Sequence, residues 1–450
     1  AAICASQRGL KTLLIEKDSL GGTCLNRGCI PTKSLVYDSK FFRAARSSNI
    51  LKGSDKLVLD PLAMLERKRR IVKTLAGGVK SLLKSNGVEV IRGAGKLTAP
   101  GRITIEQTDG SSVIHSARNI IVATGSEPMV PPFIELSNHL VQTTDEALDD
   151  ENIPGKIAVI GGGVIGVEMA SIYLNLGCEV TIIELLPHIL MTEDSEIRKA
   201  VHEGLKKSGA TIHLKAAVQD VSVCEGAVDV IFHDHKGEVQ KLRVDRVIVA
   251  TGRRPVFSGI DCDKIGLEKE GPFIKVNARL ETNLPGVHAI GDVVGGMMLA
   301  HKASAEAEAA VGNIAGGNKT VKADYIPRCI WGLSEIGAVG LTEEEAVKTG
   351  RGVRIGKFPF MANGAARAMG NTDGFVKIVG DSDTGEILGV HIVGEHATDL
   401  IGEAVTVMNM EGVVEDLYKA IKPHPTLSET IREAALDWND LAIHSPQKAL

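Results

Sequence analysis

A chain of 450 residues with 44% hydrophobic and 24% charged positions and a formal net charge of −5 has apolar material for about three packed domains, and no basic excess to draw it to nucleic acid or an acidic membrane surface. No uninterrupted apolar run approaches the roughly 18 residues of a membrane span, and no secretory leader is visible. Seven mostly isolated cysteines argue against a secreted disulfide scaffold and for a reducing compartment, where a close thiol pair is chemistry rather than a staple.

The first sixteen residues become legible against a later stretch. Ile157 to Ile160 predicts a buried strand, Gly161-Gly162-Gly163-Val164-Ile165-Gly166 a tight turn, and the run to Leu176-Gly177 a helix. Val180 to Ile183 then predicts a second strand, closed by Glu184. This is the order of a dinucleotide-binding βαβ unit, with its acid 23 positions after Gly161. The glycines let a pyrophosphate approach the backbone at a helix N-terminus, and Glu184 can accept a hydrogen bond from a ribose 2′-hydroxyl. A 2′-phosphate would be repelled there, and no lysine or arginine follows before Arg198, so the expected nucleotide is NAD rather than NADP. A displacement of 168 residues carries Glu184 onto Glu16, Gly177 onto Gly9, Ala170 onto Ala2 and Thr181–Ile183 onto Leu13–Ile15. The chain is therefore expected to open inside a second such unit, whose glycines and first strand, about a dozen residues, would precede Ala1.

Next comes Gly21-Gly-Thr-Cys24-Leu-Asn-Arg-Gly-Cys29-Ile-Pro-Thr-Lys33. Gly21-Gly22-Thr23 reads as a loop feeding a helix N-terminus, where the dipole favours a thiolate. An ideal helix holds Cα atoms five residues apart at roughly 8.6 Å, whereas a disulfide needs about 4.4–6.8 Å. A bond here requires a distorted turn, for which Gly28 supplies the freedom. Spacing alone leaves three readings: a redox disulfide, half of a zinc site, or two buried thiols that never pair. Cys4, Cys178, Cys224, Cys262 and Cys329 are scattered singly and offer no second ligand pair.

Further on, Arg67-Lys68-Arg69-Arg70 reads as a solvated helix face. Ile120-Ile-Val-Ala-Thr-Gly125 matches Val247-Ile-Val-Ala-Thr-Gly252, so each looks like a strand ending at a ligand, and the match supports a duplicated nucleotide domain. His301 follows Ala300 in a helical pattern and Cys329 lacks a neighbouring thiol, so both read as non-catalytic. From about 322 onward the pattern changes: Gly374 to Val379 and Ile387 to Val393 alternate as a hairpin, and a helix is expected from Ala397 to Met410.

On the Cys24–Cys29 run, Gly161 to Glu168, Ala250-Thr-Gly-Arg-Arg-Pro255, Ala289-Ile-Gly-Asp292-Val293, Met298-Leu-Ala-His301 and His424-Pro-Thr-Leu-Ser-Glu429, the chain resembles the flavoprotein disulfide reductases over nearly all its length. The resemblance implies an α/β fold of two duplicated dinucleotide-binding (Rossmann-like) domains plus a C-terminal α+β dimerisation domain. The FAD-binding domain would span 1–148 and 279–320, the NAD-binding domain 149–278 and the interface domain 322–450.

Carried over by position, Glu16 would hold the FAD ribose, Lys33 and Glu168 would pair near the flavin N5, and Asp292 would face the ribityl and pyrophosphate region. Gly95, Thr124, Gly125, Ser126, Met298, Leu299, Ala300 and His301 resemble further flavin contacts. Gly161, Gly162, Gly163, Val164, Ile165, Gly166, Val167, Glu168, Glu184, Val218 and Gly252 resemble the NAD site. Cys29 would face the flavin as the charge-transfer thiolate, and Cys24 would exchange with the substrate disulfide. A dithiol must lose protons before it attacks, and histidine is the natural acceptor near neutral pH. Alone, a histidine beside prolines is more often a loop residue; the family motif makes His424 that acceptor, with Glu429 orienting it. In such enzymes the histidine reaches the disulfide of the other subunit, which implies a homodimer. No metal is expected.

The likeness is greatest to the dihydrolipoamide-oxidising members, which implies a lipoyl-bearing protein of a 2-oxo acid dehydrogenase complex or glycine cleavage system as partner. It implies neither nucleic acid nor membrane as a partner, and the cytoplasm of a bacterium or the mitochondrial matrix of a eukaryote as the compartment. Glu184 speaks against the rival NADPH-driven reductase of a small disulfide such as glutathione. Mercuric-ion reductases carry a C-terminal cysteine pair, whereas the last cysteine here is Cys329. A flavin-free interaction module would have no use for the catalytic residues that the motifs retain.

Overall fold

The computed structural model describes residues 1–137 and 139–444. The chain forms two compact units, one from Ala1–Ser34, Leu62–Met129 and Gly252–Lys322, the other from Leu35–Pro61, Val130–Thr251 and Ala323 onward. No helix among the described residues is long and apolar enough to cross a membrane.

In the first unit, helix Ala2–Gln7 ends at Gly9 and strand Leu13–Glu16 follows, paired in parallel with the first half of Glu89–Ala99. Gly9 has φ +77°, and its counterpart Gly177 has φ +91°. Both helices of the repeat thus end in a left-handed residue that glycine adopts without a Cβ clash. The remainder of Glu89–Ala99 continues antiparallel into Arg102–Gln107 and Ser112–Ser116. Ile120–Val122 pairs in parallel with Val287–Ala289, placing Ile120, Val122, Val287 and Ala289 in one apolar core with Leu97, Ile260 and Ile274.

Helix Pro61–Ser85 buries Met64, Leu65, Lys68 and Leu83, which corrects the reading of Arg67–Arg70 as a wholly solvated face. Arg69 and Arg70 are exposed, but Lys68 is only 3% exposed. It lies one helical turn beyond Met64, on the inward side.

In the second unit, the strand order Thr211–His213, Glu179–Ile183, Lys156–Ile160, Arg246–Val249, Val141–Gln142 makes a parallel sheet. Helix Val164–Asn175 is buried from Gly166 to Asn175, as expected of the crossover in a sheet covered on both faces. Antiparallel strands Ala217–Cys224, Ala227–His233 and Val239–Val244 form a separate meander.

The segment from Ala323 builds a five-stranded antiparallel sheet in the order Arg328–Trp331, Glu335–Gly340, Ile387–Gly394, Phe375–Asp381, Val353–Pro359. The expected hairpin is its centre, and the expected helix runs Ala397–Asn409. That helix and Glu429–Trp438 supply Ile401, Ala404, Ile431 and Ala434 to the core with Val376, Ile378, Val390 and Ile392.

Beneath this sheet lies a charge cluster with a buried centre, which no local pattern announces. Lys377, fully buried, places Nζ 3.0 Å from Asp194, 3.0 Å from Glu196 and 2.6 Å from Glu343. Asp194 also caps helix Ser195–Lys207 by accepting from the Glu196 backbone N–H at 3.0 Å. Across the strand pair, His391 faces Lys377 in register and donates from Nε2 to the Leu341 carbonyl at 2.9 Å. Burial pushes the His391 pKa below its ordinary value, so the charge that meets the carboxylates is the Lys377 ammonium. Lys377→Met leaves Asp194 buried and uncompensated. It is expected to destabilise the protein by about 3–5 kcal/mol, read as a lower urea midpoint.

Candidate redox and nucleotide sites

Cys24 lies in helix Gly22–Arg27, and Cys29 is the first residue of helix Cys29–Arg46. Between them Gly28, at φ −130° and ψ −110°, interrupts the helical path. The Cα atoms close to 4.6 Å and the two sulfurs form a disulfide. That bond removes the zinc and unpaired-thiol alternatives, and the distortion is the one that distance demanded. The preceding loop is pinned by Asn26, whose Nδ2 donates to the carbonyls of Leu20 at 3.2 Å and Gly22 at 2.9 Å. Elsewhere burial works against thiolate chemistry: it pushes the Cys178 thiol up to about 11 and raises that of Cys262.

In the same unit, Glu16 ends its strand and accepts from the Asp18 N–H at 2.8 Å. A Cβ on Gly95 would stand 3.4 Å from the Ile15 side chain. Thr124 donates to the Val256 carbonyl at 2.6 Å, and Gly125, at φ +72°, has open space where a side chain would stand. Ser126 donates to the Asp292 carboxylate, while Arg253 donates from Nε to Ser126 Oγ at 2.7 Å and from Nη2 to the Ser126 carbonyl at 2.8 Å. The structure thus joins Ser126 and Asp292 and adds Arg253, which stood in a quoted motif without a role.

Gly291 and Asp292 open a short 3-10 turn. The turn is held by Glu306, which accepts the Gly291 N–H at 2.7 Å and pairs with Lys302 at 2.7 Å. Met298 and Leu299 lead into helix Ala300–Ile314, whose first turn has no side-chain cap, and His301 is exposed on it. Open space at Gly125, a positioned carboxylate at Asp292 and uncapped N–H groups at a helix start suit a large polar cofactor. Lys33 sits near the start of the Cys29–Arg46 helix. Gly252, at φ +123°, also belongs to this unit and accepts from the Met129 N–H at 2.9 Å.

The glycine turn of the second unit is shaped by close backbone approach. A Cβ on Gly161 would stand 2.3 Å from the Ala250 carbonyl oxygen, and one on Gly166 only 2.0 Å from that of Gly161. Gly163 precedes helix Val164–Asn175 without a side-chain cap and has nothing within 4 Å of its Cβ position. Uncapped N–H groups bordering open space are what a pyrophosphate needs. Gly162 donates its N–H to Glu184. The Glu184 carboxylate, 8% exposed, also accepts from Leu186 N–H at 2.7 Å, yet keeps lone pairs for a hydroxyl.

Val164 and Ile165 lie on the partly open first turn, whereas Val167 is buried in the helix packing. Glu168, 5% exposed, accepts the Trp331 N–H at 3.0 Å. Val218 is half-buried beside the core of the sheet.

Near the C-terminus, His424 Nδ1 lies 2.9 Å from Glu429 Oε1, and Glu429 Oε2 accepts the Thr426 N–H at 2.9 Å. Burial works to raise the Glu429 pKa, but the Thr426 N–H and His424 outweigh it and hold the acid below its ordinary value. An ionised carboxylate only accepts, so Nδ1 carries the hydrogen and Nε2 is left as a base.

Residues 1–307 match the family described as pyridine nucleotide-disulphide oxidoreductase, and residues 326–435 match its dimerisation domain. Mitochondrial dihydrolipoyl dehydrogenase 1 of Arabidopsis thaliana is 42% identical over 449 residues, covering 99% of this chain and 89% of that protein. Dihydrolipoyl dehydrogenase of Bacillus subtilis is 40% identical over 455 residues, covering 99% and 96%. The crystal structure of LpdA from Mycobacterium tuberculosis superposes with a TM-score of 0.90 at 24% identity, covering 96% of this chain and 95% of that one.

Proposed function

The chain belongs to the pyridine nucleotide-disulphide oxidoreductase family, and from that premise we propose that it is a dihydrolipoyl dehydrogenase, oxidising protein-bound dihydrolipoamide with NAD as final acceptor. The observation that carries this reading is the closed Cys24–Cys29 disulfide at a helix start. Relatives that bear this activity in their names align over 99% of the chain, which supports the substrate class. Residues 1–148 and 279–320 would bind FAD, with Glu16, Lys33, Gly95, Thr124, Gly125, Ser126, Asp292 and Met298 to His301 as contacts. Residues 149–278 would bind NAD on Gly161 to Glu168, Glu184, Val218 and Gly252, and residues 322–450 would pair two copies.

In the forward reaction His424 Nε2 takes the proton of one substrate thiol. The resulting thiolate attacks Cys24 Sγ, the Cys24–Cys29 bond breaks, and Cys29 leaves as a thiolate. The second substrate thiol then passes its proton to the leaving Cys24 sulfur as its own sulfur closes on the first, so the dithiol departs as a cyclic disulfide and the two electrons remain on the cysteine pair, Cys24 as thiol and Cys29 as thiolate. A bound flavin supplies the two-electron link from thiolate to nicotinamide. Glu429 holds the His424 ring in the tautomer that leaves Nε2 basic. Glu184 selects the nucleotide, because its carboxylate suits a 2′-hydroxyl and repels a 2′-phosphate. The partner proposed for this reaction is a lipoyl-bearing protein of a 2-oxo acid dehydrogenase complex or glycine cleavage system, in bacterial cytoplasm or mitochondrial matrix.

The purified protein is expected to show flavin absorbance and to form NADH from dihydrolipoamide, with NADP giving less than about a tenth of that rate. A flavoprotein that ignored NAD and oxidised NADPH with glutathione disulfide would overturn the substrate assignment.

A further inference from the structure

The cavity that holds His424 and Glu429 holds a second histidine–carboxylate pair. Glu433 stands one turn beyond Glu429 on helix Glu429–Trp438, so the two carboxylates share a face. His444 Nδ1 lies 3.1 Å from Glu433 Oε1, and its backbone N–H donates to Oε2 at 3.4 Å. Glu433 is buried, while the His444 side chain is 67% exposed. All four groups line one cavity of about 350 Å³, room for several waters at roughly 30 Å³ each.

The cations around this cavity are already engaged. Lys422 pairs with Glu403 and Lys419 with Glu415, while Arg432 donates to the Tyr418 carbonyl at 3.2 Å and lies 3.5 Å from Glu433. The lining is therefore no ready anion site. It holds two imidazoles, each tied at Nδ1 to a carboxylate and each left basic at Nε2. The two are electrostatically joined, since both His424 and His444 help hold Glu429 below its ordinary pKa.

We propose that His444, oriented by Glu433, is the exit for the proton that His424 takes from the substrate thiol. The inference rests on the reading of His424 as proton acceptor. The His424 imidazolium gives its Nε2 proton through cavity water to His444 Nε2, and the exposed His444 ring releases it to buffer. Both rings return to neutral, one proton has crossed the cavity, and no electron has moved.

The test uses His444→Gln and Glu433→Gln in the full holoenzyme, assayed for NADH formation from dihydrolipoamide between pH 6 and 9 at low and high buffer concentration. In dilute buffer His444→Gln is expected to turn over about tenfold more slowly, with added imidazole restoring the rate, because a diffusible base replaces the missing one. Glu433→Gln is expected to show a smaller loss with the same rescue. A His444→Gln rate equal to the parent in dilute buffer, or a loss that imidazole fails to restore, overturns the proposal. His424→Gln is measured alongside. If it keeps dihydrolipoamide turnover, the underlying reading of His424 has failed; if it is inactive while His444→Gln is normal, the exit route alone has failed.

Discussion

Replacement of Cys24 by Ser is expected to reduce dihydrolipoamide-dependent NADH formation to background while the flavin stays bound. The substitution is nearly isosteric and sits in a short helix with no buried residues, so the fold has little reason to respond. The chemistry has every reason: a hydroxyl cannot close onto Cys29, and the electrophilic sulfur that a substrate thiolate attacks is gone. Cys29 remains at the first residue of an 18-residue helix, where the N-terminal N–H groups favour a thiolate. The variant should therefore gain long-wavelength absorbance from that thiolate beside the bound flavin. Dithionite-free thiol titration should find one accessible thiol at this pair without prior reduction. Turnover within a few-fold of the parent would contradict the roles given to both cysteines.

His424→Gln carries the second large effect. The glutamine amide can still donate to Glu429, so the loop 423–429 keeps its hydrogen bond, but no basic nitrogen remains to take the substrate proton. Loss of a positioned base costs about 10²–10⁴-fold in turnover. The residual rate should climb with pH as dihydrolipoamide ionises unaided. Transfer of electrons from NADH to an artificial acceptor, which needs no thiol deprotonation, should persist. A His424→Gln enzyme within about fivefold of the parent across pH 6–9 would remove the histidine from the mechanism.

Much of the architecture was legible because its causes are local. The turn after Ile160 must approach the backbone at Gly161 and Gly166, and only glycine tolerates carbonyl oxygens where a Cβ would sit. The displacement that pairs Gly9 with Gly177 holds for the same reason, since both end a helix at positive φ. The hairpin and helix after residue 374 follow from hydrophobic period alone. The run Arg67–Arg70 misled because a string of charges suggests water, whereas helical phase decides which of them turns inward with Met64 and Leu65.

What a single pass along the chain determined is the set of features bounded by a few bonds: glycine turns, strand ends bearing Glu16 and Glu184, and a cysteine pair whose spacing demands a broken helix. Only folding decided the partnerships made across long stretches of chain. Lys377 meets Asp194 from 183 positions away, Ser126 meets Asp292 from 166, and Arg253 meets Ser126 from 127. Steric and hydrogen-bond rules within a turn act on neighbours and leave a signature in residue order. A buried charge finds its counter-charge through desolvation, which selects whichever opposite group the packed chain brings within reach and leaves no mark on spacing.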